Sequence, residues 1–174
     1  GSDPGSDVRL LDARAEADMT HVHFSYQGKS YDFTLGLAGV HQAMNALAVV
    51  AAVAQVTDDI TRVLPVFAEL TPVSGRGNRW PCLLKKGQPP LLVIDETHNA
   101  SPVAVRAALD VLARIPTNGR RLVALGDMLE LGAVSAQEHA ALKEPLLAAH
   151  VDHVFTCGKR MAHLAEVLPF GRNT

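Results

Sequence analysis

Leu91-Leu92-Val93-Ile94-Asp95-Glu96-Thr97-His98-Asn99-Ala100-Ser101-Pro102 runs from an apolar stretch through a polar loop into a helix start. Four consecutive apolar residues predict a short strand buried on both faces, as strands of a parallel sheet are. Ser101 can cap the helix that follows, with Pro102 at its first position, where a missing N–H costs nothing. That helix is predicted to reach about Arg114 and to stop before the turn Ile115-Pro116-Thr117-Asn118-Gly119. The same unit then recurs. Arg121 to Leu125 predicts a second strand, and Ser135-Ala136-Gln137-Glu138 a capping box opening a second helix that Pro145 disturbs. Val151 to Thr156 predicts a third strand, and Lys159 to Leu168 a third helix. Three strand–helix units in succession predict an α/β fold with a parallel sheet and right-handed crossovers. The sequence ends at Phe170-Gly171-Arg172-Asn173-Thr174, in what reads as mid-domain. A three-stranded parallel sheet leaves an exposed edge, which suggests a truncated domain.

Upstream the pattern is different. His21-Val22-His23-Phe24-Ser25-Tyr26 and Tyr31-Asp32-Phe33-Thr34-Leu35 alternate in the strand period around Gln27-Gly28-Lys29, a hairpin signal. Val22, Phe24 and Tyr26 fall on one face, His21 and His23 on the other. His41 to Gln55 is alanine-rich, without Gly or Pro, and predicts a largely buried helix. Asp58 to Leu70 predicts a second helix capped by Thr57 or Asp58, with Pro65 inside it. Thr71-Pro72-Val73-Ser74-Gly75-Arg76-Gly77-Asn78-Arg79 is turn-rich and marks a domain boundary, dividing the chain at about residues 76 and 77.

Composition narrows the function. Of 174 residues, 48% are apolar and 20% charged, a globular profile, and the formal net charge is −2. Only 5% are aromatic, so a basic, stacking groove for nucleic acid is not expected. Cys82 and Cys157 stand far apart without metal-ligand spacing, which suits a reducing compartment. The longest apolar run, Ala46 to Ala54, is far short of the roughly 20 residues that span a bilayer, and no signal peptide opens the chain. The expected location is cytoplasmic, without membrane insertion.

The polar loop after Ile94 is the strongest candidate for chemistry, because open α/β sheets bind ligands beyond the carboxyl ends of their strands. Asp95 there can accept hydrogen bonds from ribose hydroxyls or hold a metal through water; the plain alternative is a loop that merely satisfies its own turn and cap. Gly126-Asp127-Met128-Leu129-Glu130-Leu131-Gly132 follows the next strand at the same edge. Asp127 and Glu130 can orient an amine or a cation, or they can be two solvated acids. His41 and Asn45, four apart, share a helix face and are its polar exceptions. Arg76 and Arg79 can fork onto phosphate oxygens or sit in a solvated linker. His21 and His23 are read as strand residues facing water, not metal ligands, and His139, His150, His153 and His163 as surface or helix-end residues. No Gly-x-x-x-x-Gly-Lys-[Ser/Thr], Gly-x-Ser-x-Gly or Gly-x-Gly-x-x-Gly occurs, so phosphate-loop, serine-hydrolase and dinucleotide-binding readings lack support.

Taken in order, four blocks resemble the Mur ligases of bacterial cell-wall synthesis: Gly39 through Ala48, Ser74-Gly75-Arg76, Asp95 through Pro102, and Leu125 through Gly132 with Ser135 and His139 after it. Each is weak alone; their order and spacing across most of the chain are specific. The resemblance implies that residues 1–76 end a central ATPase domain whose phosphate loop lies upstream, and that residues 77–174 are a truncated Rossmann-like C-terminal domain. It implies ATP-driven amide formation with Mg²⁺, joining D-alanyl-D-alanine to UDP-N-acetylmuramoyl-tripeptide through an acyl-phosphate, in a monomer whose domains close to exclude water. By resemblance, His41 and Asn45 sit beside the adenine, Arg76 meets the phosphates, and Asp95 holds the ribose. His98 and Asn99 face the reacting groups, and Asn99, Asp127 and Glu130 face the substrates. The family pattern is Asp-x-x-Tyr-Asn-Ala-Asn-Pro; this chain has His98 for the Tyr and Ser101 for the second Asn. The fragment alone is expected to be inactive. The alternatives are another Mur or folylpolyglutamate-type amide ligase, or a non-catalytic nucleotide-binding or interaction module.

Overall fold

A computed structural model describes residues 1–87 and 89–169, and the terminal stretch at 170–174 lies outside it. The chain forms two compact units, one over Gly1–Pro72 and one from Val73 onward.

The first unit is an antiparallel meander of β1 (Val8–Ala15), β2 (Thr20–Tyr26) and β3 (Lys29–Leu35) in sequential order. Tyr26 pairs with Lys29, leaving Gln27-Gly28 as a two-residue loop with φ of 48° and 74°. Positive φ at both positions is what the twist of a tight hairpin requires. Val22 and Phe24 point into the core and His21 and His23 away from it, as the alternation predicts. Phe24 stacks on Tyr31 with ring centroids 5.4 Å apart, and Phe33 meets Phe67 at 4.8 Å. The buried hydroxyl of Thr20 accepts from the Gly39 N–H and donates to the Leu37 carbonyl, fastening β2 to the start of α1 (Val40–Val53).

Two expectations fail in this unit. Helix α1 is not largely buried: Ala43, Ala46, Leu47 and Val50 pack inward, whereas Val49 is 51% exposed. Alanine is small enough for either environment, so its abundance does not decide how many faces are covered. The helix expected over 58–70 is a pair of 3₁₀ segments, Ile60–Arg62 and Leu64–Glu69. Asp59, not Thr57 or Asp58, caps the first by accepting from the Thr61 N–H. Pro65 lacks an N–H for an α-helical bond and is accommodated in the first turn of the second.

In the second unit β4 (Asn78–Cys82) pairs antiparallel with β5 (Leu91–Asp95), and β6 (Leu122–Gly126) pairs parallel with β7 (His153–Cys157). Helix α2 (Pro102–Arg114) connects the two pairs and is capped by Ser101, whose Oγ accepts from the Ala104 N–H. Helices α3 (Ser135–Ala140), α4 (Lys143–Ala148) and α5 (Ala162–Val167) complete it. Leu109 of α2, Leu142, Leu146 of α4, Val151, Met161 and Leu164 of α5 form its core, joined by Met128.

The α/β class holds, but the single three-stranded parallel sheet does not: among the described residues β5 is hydrogen-bonded to β4 and not to the β6–β7 pair. An apolar run carries no record of which neighbour claims its edge, and here Trp80 opposite Val93 and Cys82 opposite Leu91 do so. Nor is β5 buried on both faces, since Leu91 and Leu92 are exposed. The capping box at Ser135 is also not formed. A 3₁₀ turn over Gly132–Val134 begins the helix early, so Ser135 already has helical torsions and caps nothing. Glu138 turns outward instead, 3.2 Å from Arg106.

Candidate functional site

Asp95 closes β5 and organises the loop beyond it. Its Oδ1 accepts from the Thr97 N–H at 3.0 Å and the Thr97 hydroxyl at 2.7 Å, and its Oδ2 from the Gly75 N–H at 3.2 Å. Two backbone bonds finish the seam: Gly77 N–H to the Asp95 carbonyl at 2.9 Å, and His98 N–H to the Gly75 carbonyl at 3.1 Å. The glycine-rich turn at 74–77 is therefore the partner of the Asp95 loop. Gly75 has to be glycine twice over, because its φ is +75° and a Cβ would stand 2.9 Å from the His98 Cβ.

The seam separates two adjacent carboxyls in character. The Thr97 hydroxyl and N–H hold the Asp95 carboxyl below its ordinary range, with the Gly75 N–H adding to them. Loss of water around the Glu96 carboxyl pushes it up, the Asp95 charge pushes it further, and Arg79 and Arg76 pull back. Asp95 is thus a fixed anion able to take hydroxyl donors. Arg76, exposed beside it, carries a fork that suits anionic oxygens. His98 and Asn99 follow on the loop with exposed side chains, and the Asn99 Oδ1 accepts from the Ala100 N–H.

The second candidate loop is built differently. The Asp127 carboxylate turns inward, where Oδ1 accepts from the Arg160 N–H at 3.0 Å and the Met161 N–H at 2.9 Å. These bonds and the nearby Arg160 charge hold its carboxyl below the ordinary range in spite of its desolvation. The next residue is pinned as well. Met128 has its side chain in the core, and its N–H donates to His139 Nε2 at 3.0 Å, while His139 Nδ1 lies 2.7 Å from the Ser135 carbonyl. That pattern requires a neutral imidazole carrying its proton on Nδ1. His139 lies in the last turn of α3, as the helix-end reading has it, but it is fully buried and not a surface residue; its spacing of four from Ser135 on one helix was the available signal. Glu130 emerges exposed, with φ +62°.

In the first unit His41 and Asn45 are both exposed on the first turns of α1, and Asn45 Nδ2 donates to Gln42 Oε1 at 3.3 Å. A shallow depression on the outer face of the meander is lined by Asp12, Arg14, His21, His23, Asp32 and Thr34, none of them in the candidate set. His23 and Asp32 pair there at 2.7 Å. Among the described residues no three His, Cys, Asp or Glu side chains stand together as a metal cage, and no helix is long and apolar enough to cross a membrane.

Residues 78–173 match the family described as Mur ligase, glutamate ligase domain. A UDP-N-acetylmuramoyl-tripeptide–D-alanyl-D-alanine ligase of Bacillus subtilis (strain 168) is 30% identical over 95% of this chain and 35% of its own length. The enzyme of the same name from Escherichia coli (strain K12) is 32% identical over 85% of this chain and 33% of its own. Among solved structures, MurF from Acinetobacter baumannii superposes with a TM-score of 0.78 at 28% identity, over 95% of this chain and 35% of that one. MurF ligase from Thermotoga maritima in complex with ADP gives 0.70 at 28% identity, over 92% of this chain and 36% of that one. The chain spans about a third of the length of the relatives it matches.

Proposed function

The chain belongs to the Mur ligase family, and from that premise we propose that it is part of an ATP-dependent ligase that joins D-alanyl-D-alanine to UDP-N-acetylmuramoyl-tripeptide. The observation that carries the reading is the Asp95–Gly75 seam. A carboxylate kept ionised at a strand end, with an arginine on the adjoining turn, matches the hydroxyls and phosphates of a nucleotide. In this role Asp95 accepts from the ribose hydroxyls with the lone pairs that Thr97 and Gly75 leave free. Arg76 meets the phosphate oxygens.

ATP supplies the phosphoryl group that turns the tripeptide carboxylate into an acylating agent. This chain's own contribution is to bind and position. The Asp95 loop holds the sugar, and His98 and Asn99 extend from it toward the reacting groups. Asn99 and Glu130 take the incoming amine component, so that orientation supplies much of the acceleration. No Walker-type phosphate loop occurs in these 174 residues. The γ-phosphate is therefore assigned to parts of the ligase outside this sequence.

Two measurements test the proposal. The 174-residue protein alone is expected to show no D-alanyl-D-alanine-dependent ATP hydrolysis. In a ligase that includes the remaining two-thirds of the length seen in relatives, Asp95→Ala is expected to raise the KM for ATP. Losing hydrogen bonds to a charged acceptor costs about 1.5–3 kcal/mol, or roughly tenfold to a hundredfold in KM. An unchanged KM would remove Asp95 from the ribose, and turnover by the isolated chain would overturn the division of labour.

A further inference from the structure

We infer that Asp127 is a positioning residue: its carboxylate clasps the turn after β7 and thereby sets the loop that presents Glu130. The inference deepens the substrate assignment proposed above and rests on it. Three independent features point the same way. Both backbone donors of the clasp, Arg160 N–H and Met161 N–H, converge on the single oxygen Oδ1, and the side chain keeps only 17% of its surface in solvent. Across the clasp lies Gly158, whose φ is +111° and whose missing Cβ would fall 2.4 Å from the Asp127 carboxyl carbon. The turn thus has a gap shaped for this carboxylate. Finally, Met128 is held by its own buried side chain and by its bond to His139, so two successive residues of the loop are fixed.

The consequence lies two residues further on. With Asp127 and Met128 tied down, the chain leaves the core at Leu129, which is 61% exposed, and turns through a left-handed Glu130. A non-glycine residue in that conformation is strained and persists where its surroundings impose it. The clasp is part of that imposition. The family resemblance implies that Asp127 and Glu130 alike face a substrate. The geometry divides their labour: Asp127 faces the protein and Glu130 faces outward. Arg160 Nη1, at 3.8 Å and half-exposed, is a weak pairing beside the two N–H bonds, so the clasp works chiefly through acceptance of hydrogen bonds.

That distinction makes the test decisive. A carboxylate pairing with a substrate ammonium is not replaced by an amide, whereas a carboxylate accepting two N–H bonds is, because Asn keeps an Oδ1 acceptor. In the full-length ligase Asp127→Ala is expected to lower kcat/KM for D-alanyl-D-alanine by about tenfold to a hundredfold, the loss typical of a misplaced positioning group. Asp127→Asn should recover most of that loss, and Gly158→Ala, which drives a methyl into the carboxylate, should reproduce it. The Asp127→Ala, Glu130→Ala double variant should lose no more than Glu130→Ala alone. A second readout is independent of activity. In the 174-residue protein the amide resonances of Arg160 and Met161 should titrate with the Asp127 carboxyl, and the titration should vanish in Asp127→Asn. Asn as damaging as Ala, or additive losses at 127 and 130, would overturn the positioning role. Amide resonances that still titrate in Asp127→Asn would overturn the clasp itself. If the ligase shows no D-alanyl-D-alanine activity while the resonances behave as stated, the substrate assignment fails and the clasp stands.

Discussion

Replacing His139 with phenylalanine isolates one buried hydrogen bond at nearly constant volume. His139 is fully buried and accepts the Met128 N–H through Nε2 at 3.0 Å. Phenylalanine fills the same space and leaves that N–H without a partner. Stranding a buried donor costs about 1–3 kcal/mol. For a unit of about 100 residues each kcal/mol lowers the melting temperature by roughly 4–8 °C. Trp80 is the chain's single tryptophan and lies in the second unit, so its fluorescence follows that unit through thermal or urea unfolding. The companion variants sharpen the result. Gln places Oε1 near the Nε2 position and should restore the Met128 bond in part, whereas Asn reproduces only the Nδ1 side. Amide exchange at Met128 should therefore be slowest in the wild type, intermediate in His139→Gln and fastest in His139→Phe and His139→Asn. Phe as stable as the wild type, or Gln and Asn indistinguishable, would refute the assignment of Nε2 as the acceptor.

Other outcomes follow from the Asp95 seam. Gly75→Ala combines a positive φ with a contact of 2.9 Å to the His98 Cβ, and should destabilise the second unit by about 1–2 kcal/mol in urea unfolding; a neutral effect would mean that the turn readily rearranges. The Thr97 hydroxyl and N–H and the Gly75 N–H make the folded Asp95 carboxyl titrate below its ordinary value. Its stabilising contribution is therefore complete above that value and is lost as pH falls through the lower folded one. The urea midpoint of Asp95→Asn should change less between about pH 5 and pH 3 than that of the wild type, and parallel curves would contradict the bonds to Thr97 and Gly75.

What could be read from residues alone divides by the range of the interaction. The hairpin at Gln27-Gly28, the outward histidines of β2 and the Ser101–Pro102 start of α2 are decided by neighbours in sequence, and all stand where the pattern puts them. Partnerships set by tertiary packing were not legible. Strand β5 went to β4, and the 3₁₀ turn at 132–134 displaced the capping box at Ser135. The cap of the turn before α5 comes from Asp127, more than thirty positions away, where no local motif search looks. At the candidate site, Asp95 was recognisable from its place after an apolar run, but Gly75 and Thr97 as the groups that hold it were not. A glycine records only that a side chain is absent, not what occupies the space. The inward turn of Asp127 was hidden for the same reason, since Gly158 leaves no side-chain signal of the carboxylate above it.

Among the described residues the strands of the second unit form two separate pairs, and this bears on how the protein behaves in a tube. In a two-stranded ladder each strand presents one row of amide and carbonyl groups to whatever approaches, and another molecule's backbone is as good a partner as any. Pro81 blunts β4, because it has no N–H to offer. Strand β6 carries no such residue over Leu122–Gly126, nor does β7 over His153–Cys157, where Phe155 lies open to solvent. Concentrated or aged samples of this polypeptide should therefore thicken into fibrous aggregates from the β6–β7 side, and a proline or lysine set into β7 should delay their onset.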